Sequence, residues 1–361
     1  MTTEAPATGA RSPGDVVLSI DAMSGERGVA EVVRGMGKSL QKNDRLRFIV
    51  HGDEAQLAQA IRPGSPLAAR TLIRHAPGVV AMDEKPSRAL RAGQDSSMWA
   101  TLQTLRSGES PVAISCGNTG ALMAMSMVAL RKAPGVDRPA IAVLWPSRGP
   151  AGYNVMLDAG ADIRADAQDL LKYAVMGASY ARNALDLARP RVGLLNVGVE
   201  EYKGRPELHE ASALIAAAAA GGDFDYIGYV EGGDIASDRV DVIVTDGFTG
   251  NVALKTGEGT ARMIRDMLRE AFSYSLLSKA GALFAYTSLA RLGKRIDPRR
   301  VNGGVFLGLN GTVIKSHGSS DATGVSAAIK LGFTLADNGF TARLAARVAA
   351  GKATEGASIP S

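Results

Sequence analysis

Cysteine is nearly missing from this chain of 361 residues: Cys116 stands alone, so no intrachain disulfide can form, which suits a reducing compartment. Histidine is limited to four positions, and neither a His-Glu-x-x-His pair nor a zinc-ligand spacing occurs. Metal binding therefore has no positive support in the sequence. An aromatic RNA-binding motif and a long Lys/Arg run are also lacking, which argues against a nucleic-acid partner. No stretch of 18 or more apolar residues exists, so no membrane-spanning helix is predicted. Residues 1–14 are rich in Ala, Thr, Pro and Gly and have no apolar centre. They read as a disordered lead rather than a signal peptide, and 351–361 as a flexible tail.

What is present is ordinary for a globular protein, with 46% hydrophobic and 21% charged residues. Aromatics are scarce at 5% whereas glycine reaches 42, a balance expected of many tight strand–helix connections. The formal net charge of +5 would suit an acidic protein partner or an anionic membrane surface. β-Branched runs predict strands at 16–20, 46–50, 79–80, 112–115, 141–144, 154–157, 192–197, 226–230, 240–244 and 311–315. Amphipathic patterns such as 166–185 and 206–220 fall between most of them. Asp53 is placed to cap the helix after the second strand, and another helix starts near Asp321. The alternation predicts a mostly parallel sheet with helices on both faces, in one α/β domain spanning 15–350.

Two strand-to-helix turns stand out. One runs Cys116-Gly-Asn-Thr-Gly120 after the strand at 112–115. The other runs Asp246-Gly-Phe-Thr-Gly-Asn251 after the strand at 240–244. A Gly-rich turn that feeds a helix presents free N–H groups and a positive dipole end, so two of them suggest a site for phosphate or another small anion. Neighbouring residues are weighed against simpler roles. Cys116 beside the first turn is more readily a packed apolar residue than a nucleophile. His317, among Gly and Ser after the strand at 311–315, is by default structural, yet it is placed to donate a proton or bind an anion. Lys203 lies after the strand at 192–197, where open α/β sheets place ligands. Gly37-Lys38-Ser39 lacks the upstream glycine of a Walker loop, and Gly257-Glu-Gly259 sits inside a helical pattern.

Residues 271–296 carry no acidic residue. They set Lys279, Arg291, Lys294 and Arg295 among Leu283, Phe284 and other apolar side chains. That pattern suits a helix lying on an anionic membrane or packed in a dimer interface.

Taken together, Asp21-Ala-Met-Ser-Gly-Glu26, Asp95-Ser-Ser-Met98, Ser115-Cys-Gly-Asn-Thr-Gly-Ala-Leu-Met123, Gly135-Val-Asp-Arg-Pro-Ala140, Glu200-Glu-Tyr-Lys-Gly204, Tyr229-Val-Glu-Gly-Gly-Asp-Ile235, Asp246-Gly-Phe-Thr-Gly-Asn-Val-Ala-Leu-Lys255 and Asn310-Gly-Thr-Val-Ile-Lys-Ser-His-Gly-Ser-Ser320 resemble the PlsX family. These are the phosphate acyltransferases (acyl-ACP:phosphate transacylases) of bacterial phospholipid synthesis. The motifs run in family order from about residue 16 to 335. Ser24 and Glu26, Cys116, Tyr202 and Arg205 depart from the family's usual residues.

The resemblance implies a three-layer α/β/α fold like the phosphotransacetylase and isopropylmalate dehydrogenase group, and a homodimer. It implies transfer of a long-chain acyl group from acyl carrier protein (acyl-ACP) to inorganic phosphate, giving acyl phosphate. It further implies a cytoplasmic enzyme held peripherally on the membrane through 271–296, with a glycerol-3-phosphate acyltransferase as a downstream partner. On this reading Asn118, Thr119 and Gly120, with Asp246, Gly247, Thr249, Gly250 and Asn251, form a phosphate and oxyanion cradle. Lys203 supplies positive charge, His317 and Ser319 bind phosphate or donate a proton, and Asp21 orients Lys203. Competing expectations are a phosphotransacylase using acyl-CoA or acetyl-CoA, and a non-catalytic membrane scaffold. A hydroxyacid dehydrogenase is disfavoured because no cluster of metal-binding aspartates is evident.

Overall fold

The computed structural model describes residues 14–296, 303–344 and 346. Of the expected lead only Gly14 falls within it, and the expected tail at 351–361 lies outside the described residues. The chain divides into two compact units, one of residues 1–139 and 302–361 and the other of residues 140–301.

The first unit begins with β1 (Val16–Asp21), β2 (Leu46–Gly52), β3 (Thr71–His75) and β4 (Val112–Ser115). The second holds β5 (Ala140–Pro146), β6 (Tyr153–Leu157), β7 (Arg191–Leu195), β8 (Asp225–Val230) and β9 (Val242–Val244). Strands β10 (Gly304–Leu307) and β11 (Thr312–Lys315) return to the first. There the order is β3-β2-β1-β4-β11-β10, parallel except for the β10/β11 pair. In the second unit the order is β5-β6-β9-β7-β8, and only β5/β6 is antiparallel. Every residue of β1, β4 and β9 is buried, so both faces of these strands are covered, as parallel pairing by crossover helices requires. The α/β class and the mostly parallel sheet expected from the alternation are found.

Local chemistry explains most boundaries. Asp53 caps the helix Glu54–Ala60 by accepting from the Gln56 N–H at 2.9 Å. Asp321 does the same for the helix Ala322–Asp337 through Thr323 and Gly324. That helix packs on the helix Gly28–Leu40, where the Ser39 hydroxyl donates to Ser326 Oγ at 2.9 Å. The strand expected at 79–80 does not form. Gly78 makes only an isolated bridge to Ser96, and Val79 is exposed. Two apolar residues without a neighbouring strand edge are too few to pair. Strands β3 and β10 carry no matching expectation. The first is only half-buried, and the second is four residues long.

His51, near the end of β2, is fully enclosed. One ring nitrogen lies 3.0 Å from Thr104 Oγ1, and Nδ1 has no partner among the described residues. Burial, reinforced by Arg74, pushes its pKa from 6.5 down to about 4, against the smaller opposing effect of Glu109. The fold thus accepts the neutral ring. Above pH 6.5 that preference costs nothing. As pH falls from 6.5 towards 4, the unfolded chain takes up a proton that the folded chain refuses, and stability declines by up to roughly 3 kcal/mol. His51→Gln should flatten urea-midpoint profiles across this window. An unchanged slope in the variant would place the proton elsewhere.

Candidate functional site

In the first unit three adjacent parallel strands end in Asp21, Ser115 and Lys315, the last two in direct register. Open α/β sheets present ligand sites at this carboxyl edge. Asp21 is buried, and its carboxylate accepts from Ser97 Oγ at 2.7 Å, from Ser115 Oγ at 2.6 Å, and from the Met23 and Ser24 N–H groups. Ser115 Oγ in turn accepts from the Gly117 N–H at 3.0 Å. A Cβ on Gly117 would lie 2.4 Å from Met98 Cε and 2.6 Å from Ser24 Cβ, so only glycine lets this turn close. Asp21 therefore anchors the Cys116–Gly120 turn.

Asn118 caps the helix Thr119–Leu130 by accepting from Ala121 N–H at 3.0 Å. Its amide nitrogen donates to the carbonyls of Met82 at 2.9 Å and Glu84 at 2.8 Å, and more weakly to Ala81. The side chain is thus occupied in shaping the turn. The N–H groups of exposed Thr119 and Gly120 begin the helix and precede any i−4 carbonyl within it, which leaves them as the turn's free donors. The third loop of this edge joins through the Glu26 N–H, which donates to the Gly318 carbonyl at 2.9 Å. His317 and Ser319 are exposed there, and the Ser319 N–H donates to His317 Nδ1 at 3.3 Å. That bond leaves the proton of a neutral ring on Nε2. Burial pushes the Cys116 thiol up to about 11, outweighing nearby Lys315, so it remains protonated at neutral pH.

In the second unit the loops after β6, β9 and β7 converge. Asp158 is fully buried, and its carboxylate accepts from the N–H groups of Ile141 at 2.8 Å, Gly160, Ala161 and Asp162. Burial still raises its pKa above the usual carboxylate value, against those four donors. The helix Gly247–Ser273 docks on this loop: the Gly247 N–H donates to the Asp162 carbonyl at 2.7 Å. Asp246 caps it, accepting from Thr249 N–H and Oγ1 at 2.9 Å and from Arg205 at 2.7 Å. Burial opposes ionisation of Asp246, yet the Thr249 and Arg205 donors outweigh it and hold the carboxyl below its usual range.

Lys203 lies in the loop that ends at Arg205. Its carbonyl accepts from Asn196 Nδ2 at 2.8 Å and is 2.9 Å from His209 Nε2, while its ammonium pairs with Glu200 at 2.8 Å. The Arg205–Asp246 ion pair ties the Lys203 loop to the start of the long helix. Asn251 is exposed one turn into that helix, and its amide has no partner among the described residues. The pattern in the sequence did not point to Asp158 or Lys315, and Arg205 stood out only as a departure from the family's usual residues.

Residues 271–296 complete the helix Gly247–Ser273 and form the helices Leu276–Phe284 and Tyr286–Ile296. Lys279, Leu283, Phe284 and Arg291 are exposed, Phe284 at 89%. Lys294 and Arg295 lie in the last helix, and their side chains are outside the described set. No described helix is long and apolar enough to cross a membrane.

Residues 16–343 match the model of a family described as "Fatty acid synthesis protein". A phosphate acyltransferase of Paracoccus denitrificans is 66% identical over 349 residues, covering 96% of this chain and 94% of its own. One of a Jannaschia species is 64% identical over 346 residues, covering 96% and 95%. The chain belongs to the phosphate acyltransferase family. It is accordingly an acyltransferase. Among solved structures, the EutD phosphotransacetylase of Staphylococcus aureus is similar at a TM-score of 0.56 and 15% identity, covering 91% of this chain and 95% of that one. A Streptococcus pyogenes phosphotransacetylase gives 0.58 at 14% identity, with 89% and 94% covered. The fold expected from the family resemblance is thus found in these phosphotransacetylases.

Close packing in the second unit yields a paired test. A Cβ on Gly250 would lie 1.9 Å from the Asp158 carbonyl oxygen, whereas one on Gly259 in the same helix meets nothing within 4 Å. Gly250→Ala should cost about 1–3 kcal/mol in urea unfolding and reduce turnover by misplacing Asn251. Gly259→Ala should stabilise by about 0.5–1 kcal/mol. Equal effects would mean that the helix start is not pressed against Asp158.

Proposed function

We propose that the protein moves a long-chain acyl group from acyl carrier protein to inorganic phosphate, producing acyl phosphate for phospholipid synthesis. The observation that carries this reading is the match of residues 16–343 to the family model, together with an exposed Thr119–Gly120 helix start and an exposed Asn251 amide that has no partner among the described residues. Identity of 62–66% to phosphate acyltransferases supports it. Phosphate is partly dianionic at neutral pH and needs positioning more than a strong base. One of its oxygens attacks the thioester carbonyl carbon. A C–O bond forms, the C–S bond breaks, and the phosphopantetheine thiolate departs and takes up a proton.

Each residue has a role in this reading. The Thr119 and Gly120 N–H groups hold phosphate, whereas the Gly247, Thr249 and Gly250 N–H groups expected in the cradle are taken by the Asp162 carbonyl, the Asp246 carboxylate and the Asp246 carbonyl, so these residues shape the second helix start. Asn251, whose amide is uncommitted, donates to the oxyanion that develops on the carbonyl. Lys203 leaves Glu200 to neutralise charge on phosphate in the transition state. His317, with its proton on Nε2, donates to phosphate or to the leaving thiolate, and Ser319 sets its ring. Asp21, Asn118 and Asp246 act by shaping these loops. No cofactor takes part in these steps. The protein works as a homodimer on the cytoplasmic face of the membrane. Exposed Leu283 and Phe284 enter the lipid boundary, Lys279 and Arg291 face anionic headgroups, Lys294 and Arg295 add positive charge to the same segment, and a glycerol-3-phosphate acyltransferase consumes the product.

The test is phosphate-dependent loss of thioester from palmitoyl-acyl carrier protein, with acyl phosphate trapped by hydroxylamine. Lys203→Ala should lower kcat/KM by about 100-fold or more, and Asn251→Ala by a comparable factor. Full activity in Lys203→Ala would remove that residue from the mechanism. Turnover with a CoA thioester but not with the carrier-protein thioester would move the donor to coenzyme A. Silence with both would leave a scaffold role.

A further inference from the structure

Lys315 closes β11 with its side chain buried, 9% exposed, in a part of the fold where a charge is expensive to hold. Its ammonium donates to the Ser316 carbonyl and lies 3.5 Å from the Cys116 carbonyl oxygen. These two carbonyls belong to the two loops that carry Asn118–Gly120 and His317–Ser319. From Cys116 the chain of contacts continues across one peptide bond. The Gly117 N–H donates to Ser115 Oγ at 3.0 Å, and Ser115 Oγ donates to Asp21 Oδ2 at 2.6 Å. Every bond in this series points the same way, from cation to carboxylate.

We propose that Lys315 and Asp21 act as a pair of positioning residues, clamping the Cys116–Gly117 peptide between opposite charges through Ser115 and so pre-setting the turn that receives phosphate. The proposal rests on the reading that phosphate binds at this turn. A peptide polarised from both ends is held more firmly than either bond alone would hold it, because aligned hydrogen bonds strengthen one another. The same ammonium fixes the Ser316 carbonyl, so one cation ties both loops. Phosphate thus meets the Thr119 and Gly120 N–H groups already aimed, and the entropy of ordering the turn is spent on folding rather than on binding.

The test compares wild type, Lys315→Met, Asp21→Asn and the double variant by calorimetric titration with inorganic phosphate. KM for the acyl donor is measured in parallel. Each single change should weaken phosphate binding by roughly tenfold or more, the double should be no worse than the poorer single, and donor KM should stay within about threefold. Ser115→Ala, a small change that removes only the middle link, gives the same readout if the charge variants do not fold. Folded single variants that bind phosphate like the wild type would overturn the clamp. So would a double variant whose loss is the product of the two singles, or equal weakening of phosphate and donor. A wild type that binds no phosphate would overturn both the clamp and the functional reading beneath it.

Discussion

A carboxylate taken out of water at the end of a parallel strand has to be met by donors, and that requirement shapes the loops of both units. Desolvating an ionised carboxylate without hydrogen bonds costs more than a domain's net stability can absorb. Asp21 meets the demand with two serine hydroxyls and two N–H groups. Asp158 meets it with backbone N–H groups of Ile141, Gly160, Ala161 and Asp162. In each case the donors come from segments distant in sequence or from the loop itself. Satisfying the charge therefore fixes where the following loop goes. Ser115 and the Cys116 turn follow from the first carboxylate. The docking of the helix Gly247–Ser273 on the Asp162 carbonyl follows from the second.

This arrangement has a consequence for catalysis of acyl transfer. Phosphate and a thioester carbonyl both call for fixed donors more than for acid–base strength, and donors already fixed in the folded state need no reorganisation during reaction. The helix start at Thr119 and Gly120 is fixed by Asp21 and Asn118, and the helix start that carries Asn251 is fixed by Asp158 and Asp246. Lys203 differs, because its backbone is pinned by Asn196 while its ammonium pairs with the half-exposed Glu200 at the loop surface. Rigid backbone with a movable charge is a suitable combination for meeting an incoming anion.

How far the sequence already displayed this is a matter of which interactions are local. Strand–helix alternation, the cap at Asp53, the helix start near Asp321 and the two Gly-rich turns are short-range features, and each is found. The run at 79–80 failed as a strand because pairing depends on a neighbour that a local pattern does not encode. Lys315 and Asp158 escaped notice, and Arg205 was noted only as a departure from the family, for a related reason. Their importance lies in contacts such as Arg205–Asp246 across 41 positions or Lys315–Cys116 across 199. Asn118 shows the converse. Its place in the turn was legible, yet the commitment of its amide to the 82–84 carbonyls becomes visible only once that segment is laid beside it.

The central claim, that phosphate itself is the nucleophile attacking an acyl thioester, can be tested with inorganic phosphate bearing oxygen-18 at all four positions and a long-chain acyl carrier protein thioester. Mass spectrometry of the acyl phosphate should find all four labelled oxygens retained, with release of one carrier-protein thiol for each acyl phosphate formed. Unlabelled free fatty acid as the only acyl product would contradict the account, because water rather than phosphate would then have taken the acyl group.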